Sequence, residues 1–312
     1  MSISDWFCNI YSSIKNNNRF LVRIRFYSLL RVLTRLTANL LLPVYFRLTK
    51  NNKQYRLTSD KQKVIVSFTS FPARIDKVWL VVECMLRQTR KPDKIVLWLS
   101  KEQFPTMESV PTRLRQQIAR GLDIQLREAD LRSHKKYYYA LKEYPEASFI
   151  TIDDDVFYST HTLEHLLTSA EQHQHCVIAN TARQVTFDNN GDQLPYTQWT
   201  EYVPENSEEE YLFQIGIGGV LYPPHSMLTE AADIQTAMQC CPNGDDIWLY
   251  AMCRLNNTRI VKSASCDYPL PIYNNRAFSL SHTNLTGGND EQIEQLKQVC
   301  INRFKQDPFH KQ

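Results

Sequence analysis

The pattern of apolar and polar positions changes its period several times between residues 64 and 180. Short runs rich in β-branched and aromatic residues predict buried strands, and they lie at 64–70, 95–99, 124–126, 148–152 and 176–179. The segments between them repeat their apolar residues at helical spacing, at 76–88, 111–120 and 135–143. Strands that alternate with helices of this length predict an α/β fold, in which a mostly parallel central sheet carries helices on both faces.

From residue 184 onward the pattern loosens. The stretch 184–210 is polar with several aromatic residues, which predicts a long surface loop. Loops of this length are usually lids or binding loops. A glycine-rich segment follows at 215–224. A helix is then predicted to start within 243–252 and to continue through Leu255, and a closing helix is predicted over 289–304, with the polar, loop-like stretch 268–288 between them.

Residues 1–50 combine apolar residues with eight basic residues and a single acidic one, Asp5. Arg31 and Arg35 are four positions apart with leucines on other faces, which predicts a helix. The longest uncharged run, 36–46, is too short to span a bilayer. Two interpretations stay open: a basic amphipathic helix in the headgroup plane of an anionic membrane, or a helix packed on the protein's own body with its arginines in solvent. The charge asymmetry favours the membrane.

The composition is that of a globular protein, with 312 residues, 43% hydrophobic residues and a net charge of +3. The eight cysteines are scattered and none forms a CxxC pair, which excludes zinc sites built from closely spaced thiolates. Several lie in apolar runs, where a thiol behaves as a small hydrophobic group. Because no signal peptide is visible either, we expect a cytoplasmic protein, peripheral on the inner face of the cell membrane, without a nucleic-acid partner.

Three consecutive carboxylates, Asp153, Asp154 and Asp155, follow the strand predicted at 148–152. Adjacent anions at the rim of a core repel one another, so they indicate a positive partner. A bend after the strand could direct Asp153 and Asp155 towards one Mg²⁺ or Mn²⁺, which binds through one or two carboxylates plus substrate phosphates. The alternative is a solvated acidic turn. The end of the first strand, at 67–70, lies at the same edge of the sheet, where ligands of open parallel sheets bind.

Two later segments also carry candidate chemistry. Three of the eight glycines lie within 216–219, where they indicate either a bend against a sugar or phosphate or a purely structural bulge. Their spacing matches neither a dinucleotide fingerprint nor a P-loop. Asp245 and Asp246 begin a helix, where one carboxylate can serve as a cap and the second as a general base towards a hydroxyl. His282 is either a third metal ligand or a solvated side chain.

Through these motifs the chain resembles the GT-A-fold glycosyltransferases that build bacterial capsules and O-antigens. Four segments within about 62–260 carry the resemblance, and they are Val64–Ser70 with the following Phe71-Pro72-Ala73-Arg74, Asp153-Asp154-Asp155, Gly218-Gly219, and Gly244-Asp245-Asp246. The resemblance implies a single GT-A-like, Rossmann-like domain at 57–280. A basic helical arm at 1–56 would precede it, and a closing segment at 281–312 would follow it.

The resemblance also implies a nucleoside-diphosphate-sugar donor and a glycan or lipid-linked acceptor. The residues that it assigns to the donor are Thr69, Ser70, Arg74, Lys136, Asp153, Asp154, Gly218 and Gly219. Mn²⁺ or Mg²⁺ would be held by Asp153 and Asp155, with His282 as a possible third ligand. In inverting members a carboxylate at a helix start deprotonates the acceptor hydroxyl, and Asp245 or Asp246 occupies that place here. Acceptor choice would lie within 184–211.

Two alternatives stay open. A nucleotidyltransferase could use the same carboxylate–metal site, but it would normally carry a glycine-rich basic loop where this chain has Phe71-Pro72-Ala73-Arg74. A non-catalytic, membrane-associated relative would be indicated by loss of an aspartate pair, and both pairs are present. A metal-dependent hydrolase is disfavoured because no His/Asp cluster supplies a two-metal site.

Overall fold

The computed structural model describes residues 2–14, 25–49, 63–201, 203–265, 269–273 and 287–311. Its helices are α1 (Ile3–Ser13), α2 (Phe26–Leu48), α3 (Val78–Leu86), α4 (Thr112–Arg115), α5 (Lys135–Glu143), α6 (Thr162–Gln172), α7 (Ile234–Cys240), α8 (Asp245–Leu255) and α9 (Asn289–Phe304). Its strands are β1 (Val64–Thr69), β2 (Lys94–Ser100), β3 (Leu122–Arg127), β4 (Ser148–Thr151), β5 (Val156–Phe157), β6 (Val177–Ala179), β7 (Ala182–Gln184), β8 (Leu212–Gln214), β9 (Val220–Tyr222), β10 (Ile260–Lys262) and β11 (Leu270–Pro271).

A seven-stranded sheet in the order β10-β6-β9-β4-β1-β2-β3 forms the centre of the molecule. The pairs β1–β2, β1–β4, β2–β3 and β6–β10 are parallel, while β9 runs antiparallel between β4 and β6. Two-stranded ribbons, β5 with β11 and β7 with β8, lie beside it. The predicted α/β fold with a mostly parallel sheet is therefore confirmed, and β9 and β10 are the strands of this sheet that the pattern did not predict.

Side chains of each central strand alternate between two apolar clusters, one on each face of the sheet. On β1, Val66 and Phe68 pack with α1, α2, α3 and α6, whereas Ile65 packs with α5, α7, α8 and α9. A strand buried on both faces needs apolar residues at nearly every position. This is why the run at 64–69 was predictable as a strand, and the predicted helices on both faces are confirmed.

The helix predicted over 111–120 is wrong in its length. The structure has only α4 and a 3₁₀ turn at Ile118–Arg120. The carbonyl of Gln117 accepts hydrogen bonds from the backbone N–H groups of Arg120 and Leu122, and Gly121 takes a φ of +112°. The chain therefore reverses tightly at this point, which glycine permits and a continuing helix does not.

The helix predicted around Arg31 and Arg35 is confirmed as α2, and it packs on the body of the protein. One interpretation placed these two arginines in solvent, but in the structure both contact the body of the protein. Arg31 Nη2 donates to the carbonyl of Ile14 at 2.7 Å, and the guanidinium carbon of Arg35 lies 5.3 Å from the ring centre of Tyr273. The uncharged run 36–46 suggested that no segment here could span a bilayer, yet by length and composition alone α2 as a whole meets the criteria for a membrane-spanning helix.

Candidate active site

The loop after β1 places a cation over the carboxylates that follow β4. Arg74 N donates to the carbonyl of Phe71 at 3.0 Å, and this turn returns the Arg74 side chain towards the strand ends. Arg74 Nη1 lies 2.8 Å from Asp154 Oδ1 and 2.9 Å from Asp155 Oδ2. Ser70 Oγ donates to Asp154 Oδ2 at 2.5 Å. Two loops at the carboxyl edge of adjacent strands thus form one polar cluster.

The charges in this cluster are only partly balanced. Burial lowers the pKa of Arg74, but the carboxylates of Asp154 and Asp155 outweigh it and hold the pKa above its usual value. Burial raises the pKa of Asp155 to about 7, because Arg74 offsets only part of that penalty and Asp153 adds repulsion. Burial likewise raises the pKa of Asp154. A further cation at this edge would therefore stabilise the ionised carboxylates.

Lys136 joins the two acidic segments of the chain. It lies in the first turn of α5, and its Nζ is 3.0 Å from Asp153 Oδ1 and 2.8 Å from Asp245 Oδ2. Its side chain is only 6% exposed. Burial lowers the pKa of Lys136, but Asp153, Asp245 and Asp246 outweigh it, so the pKa lies well above the usual value. The ammonium group is therefore a fixed positive charge between the two aspartate motifs.

Asp246 is held by the backbone of the glycine segment. Gly216 N donates to Asp246 Oδ2 at 2.8 Å, and Gln214 Nε2 donates to the backbone carbonyl of Asp246 at 3.0 Å. The other carboxylate oxygen, Oδ1, has no hydrogen-bond partner among the described residues. One oxygen is thus anchored, while the second is buried without a hydrogen-bond partner among the described residues.

The neighbours Asp245 and Asp246 have opposite pKa shifts. Burial raises the pKa of Asp245, but the adjacent Lys136 outweighs burial and lowers the pKa below its usual value. Burial and the charge of Asp245 raise the pKa of Asp246 to about 7, against a smaller lowering by Lys136. Pairs of carboxylates whose pKa values are pushed apart are typical of acid–base sites. A base with a pKa near the working pH is also the most effective one.

The glycine segment is a 3₁₀ turn at Gly216–Gly218 that precedes β9. A Cβ atom on Gly216 would lie 2.9 Å from Asp246 Oδ1 and 3.3 Å from Lys136 Nζ. A Cβ atom on Gly218 would lie 2.2 Å from Thr181 Oγ1, and Gly219 has a φ of +91°. The segment therefore needs glycine at Gly216 for close approach to Asp246 and Lys136, and at Gly218 for packing against Thr181.

The structure places the other predicted residues as follows. Thr69 lies at the end of β1, where its Oγ1 donates to the carbonyl of Trp98 at 2.8 Å. Asp154 is buried, with Ser70 and Arg74 on its two oxygens. His282 lies outside the described residues.

Gly216 and Tyr158 also belong to this cluster, although they are not among the site residues predicted from the sequence. The hydroxyl of Tyr158 accepts a hydrogen bond from Asp153 N at 2.9 Å and donates to the carbonyl of Ile217 at 3.0 Å. It thereby ties the first aspartate to the glycine segment. The cluster of glycines could have indicated Gly216, but no local pattern indicates the tyrosine.

A divalent cation fits the donor chemistry of Asp153 and Asp155, whose side chains are 32% and 27% exposed. No group of three His, Cys, Asp or Glu side chains that could hold a metal occurs in the described part of the chain. The pair therefore does not form a closed protein cage. It suits a magnesium or manganese ion bound through carboxylates together with substrate phosphates and water.

No protein-family model matches the sequence, and no curated protein matches it either. Among solved structures, the chain is similar to a CMP:2-keto-3-deoxy-manno-octonic acid synthetase complexed with CTP. The identity is 14% and the TM-score 0.41, over 74% of this chain and 100% of the other. It is similar to an apo UDP-glucose pyrophosphorylase at 11% identity and a TM-score of 0.38, over 78% of this chain and 99% of the other.

A third similar structure is glucosyl-3-phosphoglycerate synthase from Mycobacterium tuberculosis in complex with Mn²⁺, uridine diphosphate and glucosyl-3-phosphoglycerate. The identity is 12% and the TM-score 0.30, over 41% of this chain and 50% of the other. At these identities and TM-scores the likeness assigns no activity to this chain.

Proposed function

We propose that the protein is a glycosyltransferase that moves a sugar from a nucleoside-diphosphate-sugar donor to a hydroxyl of a glycan or lipid-linked acceptor, with inversion. One observation carries the proposal. Buried Lys136 joins Asp153, at the end of β4, to Asp245, at the start of α8. Asp245 is followed directly by Asp246, the residue proposed as general base, so the bridge supports a site in which one cation links that base to the carboxylates proposed for the donor phosphates.

The donor diphosphate would bind at the edge formed by the loops after β1 and β4. Arg74 and Lys136 supply positive charge there, and Asp153 and Asp155 are the residues that would hold Mn²⁺ or Mg²⁺. A bound divalent cation neutralises negative charge that develops on a leaving diphosphate. Asp154, which is buried between Ser70 and Arg74, orients the arginine. Thr69, Gly218 and Gly219 border the same edge.

The acceptor hydroxyl would approach Asp246. Asp246 Oδ1 takes the hydroxyl proton while the acceptor oxygen attacks the anomeric carbon of the donor sugar. The bond from that carbon to the diphosphate oxygen breaks, and its electron pair leaves with the nucleoside diphosphate. Attack opposite to the leaving group inverts the anomeric carbon. Gly216 N holds Asp246 Oδ2 in place during this transfer.

The test incubates the purified protein with Mn²⁺ and a panel of nucleotide sugars, and it measures thermal stabilisation and release of nucleoside diphosphate. We expect one nucleotide sugar to stabilise the protein and to be hydrolysed slowly. The doubly substituted variant D153A/D155A should lose both effects, while I118E, at an exposed position outside the site, should keep them.

The same experiment separates the alternatives. Release of pyrophosphate from a nucleoside triphosphate and a sugar phosphate, without release of nucleoside diphosphate from any nucleotide sugar, would replace the proposal with nucleotidyl transfer. Binding of a nucleotide sugar that is never cleaved, with or without glycan acceptors, would indicate a non-catalytic relative.

A further inference from the structure

Helix α2 presents a long apolar surface that the body of the protein does not cover. Eight of its exposed apolar side chains, named here the leucine face, are Leu29, Val32, Leu33, Leu36, Leu40, Leu41, Val44 and Leu48. Leu40 is 69% exposed and Leu48 is 81% exposed. Single exposed apolar residues are common on protein surfaces, but a row of eight on one helix marks an interaction site.

The opposite side of α2 is fixed to the protein. Thr34, Ala38, Leu42 and Phe46 recur every fourth position and are buried, so they form one stripe along the helix. Asn39 Nδ2 donates to the carbonyl of Pro271 at 3.0 Å, and Arg31 Nη2 donates to the carbonyl of Ile14. A helix held along its length in this way can lie on a bilayer, whereas spanning the bilayer would require it to leave the body.

The charges around the leucine face indicate which partner it fits. Helix α2 contains no acidic residue. Arg25 and Arg47 are exposed at its two ends, where long basic side chains can reach lipid headgroups while the helix between them contacts acyl chains. The one acidic residue among the first 50 is Asp5, which is buried. This combination of an apolar centre and basic ends is complementary to an anionic lipid surface.

A second copy of the chain is a poorer partner. Two leucine faces in contact would bring the exposed arginines of both copies into one interface, and α2 offers no carboxylate to pair with them. Like charges in an interface destabilise it. Charge therefore favours lipid over self-association.

The first two helices are also tied to the segments around the aspartates. Asp5 Oδ1 accepts a hydrogen bond from Thr160 N at 2.7 Å, and Cys8 Sγ donates to the carbonyl of Phe157 at 3.6 Å. Strand β5, which begins directly after Asp155, pairs with β11, where α2 makes its contact through Asn39. The leucine face and the carboxylates are thus parts of one packed unit.

We propose that the leucine face inserts into one leaflet of an anionic lipid bilayer, with α2 parallel to the membrane plane. This differs from attachment by a basic face, because Arg31 and Arg35 point to the body and the apolar side points outward. The proposal is independent of the reaction that the site catalyses.

The test is flotation of the full-length protein with vesicles of phosphatidylcholine containing about one quarter phosphatidylglycerol. The variant L36E/L40E places two charges in the leucine face without touching the buried stripe. The matched control is I118E/I301E, which replaces two exposed isoleucines outside α1 and α2. Thermal melting and light scattering of each variant check folding and oligomeric state.

We expect the wild type and the control to float, and L36E/L40E to lose at least about tenfold in lipid partition. Most of the wild-type binding should persist at about 1 M NaCl, where the Debye length is only about 3 Å. Loss of all binding in high salt with no effect of L36E/L40E would overturn apolar insertion in favour of purely electrostatic attachment. Failure of the wild type to float, or a dimer that L36E/L40E converts to monomers without any lipid binding, would also overturn the proposal.

Discussion

The proposed role of Asp246 depends on its protonation state. Its pKa is raised to about 7 by burial and by the charge of Asp245. A general base acts in its ionised form, which prevails above the pKa. We therefore expect kcat, measured at saturating donor and metal, to rise with pH through about 7 and then to level off. Below that pH it should fall about tenfold per unit.

Asp246→Asn removes the base while keeping an oxygen that can accept from Gly216 N. We expect kcat to fall by about 10² to 10⁴-fold, since that is the usual contribution of general base catalysis. Donor binding should change little, because the phosphate-side residues are untouched. The proposal for Asp246 is wrong if this variant keeps a wild-type rate and the same dependence on pH.

Gly216→Ala tests the close contact between the glycine segment and the base. The added Cβ would lie 2.9 Å from Asp246 Oδ1, so the carboxylate must shift by several tenths of an ångström. We expect kcat to fall by about tenfold to a hundredfold, with a loss of less than about 2 kcal/mol in unfolding free energy. The control is Gly244→Ala, whose Cβ would meet Ile247 Cδ1 at 3.0 Å and no base oxygen. Equal losses of activity in both variants would count against the proposed role of this contact.

Helix α3 is held to its neighbours by a fully buried carboxylate. Glu83 forms ion pairs with Arg87 and with Arg120, and Gln117 Nε2 donates to its Oε1 at 3.3 Å. Removing the charge leaves the buried guanidinium of Arg120 without its counter-ion. We expect Glu83→Gln to lower the unfolding free energy by about 3–5 kcal/mol, measured by urea unfolding.

The double variant E83M/R120M is the control for this pair. It removes the charges of Glu83 and Arg120 and fills the space with apolar groups, which is often neutral for stability. Arg87 also loses Glu83, but its Nη2 still donates to the carbonyl of Thr49 at 3.1 Å. Most of the loss in Glu83→Gln should therefore be recovered. If the double variant is less stable than the single one, the ion pair itself, rather than the unpaired arginine, dominates the stability of this region.

The elements that could be predicted from the sequence are those whose burial leaves a continuous or periodic signature. Strand β1 is covered on both faces, so its apolar run is unbroken. Strand β9 has only three residues and runs antiparallel between β4 and β6, and its place depends on pairings between distant segments. Helix α2 was predictable as a helix, but the direction of its leucines depends on which side the body covers.

In the candidate site, too, features with a local sequence pattern could be predicted, whereas features that depend on contacts between distant segments could not. Ser70 and the aspartates could be placed at one edge of the sheet because the carboxyl ends of parallel strands meet there. The bridge made by Lys136 could not be predicted, because a lysine at the start of a helix is usually solvated and only packing of α5 on the sheet buries this one. The role of Tyr158 likewise depends on contacts between segments that are far apart in sequence.

At the scale of the whole molecule, Asp5 connects helix α1 to the rest of the chain through hydrogen bonds with Thr160. Its carboxylate accepts hydrogen bonds from Ser2 N in the same helix cap and from the backbone and hydroxyl of Thr160. Burial raises the pKa of Asp5, but the hydrogen bonds from Thr160 and Ser2 together outweigh it. The pKa therefore lies below the ordinary value of 3.8.

A carboxyl group whose pKa is lowered by folding contributes stability that is fully present above its unfolded pKa. The contribution is lost as the pH falls through the folded pKa. Asp5→Asn keeps the shape but not the charge, so at about pH 6 we expect it to lower the unfolding free energy by about 1–3 kcal/mol. The difference between wild type and variant should shrink below pH 3.8, since the wild type then loses the same charge.

Urea unfolding of both proteins at about pH 6 and about pH 3 measures this difference. Hydrogen exchange at about pH 6 should show faster exchange in Asp5→Asn at residues 2–14 and 156–160, the two segments that the carboxylate joins. Glu164→Gln, which alters an exposed carboxylate in the neighbouring α6, is the control and should leave both segments unchanged. A stability difference that persists undiminished at the lower pH would show that Asp5 fastens the helices through its shape and not through its charge.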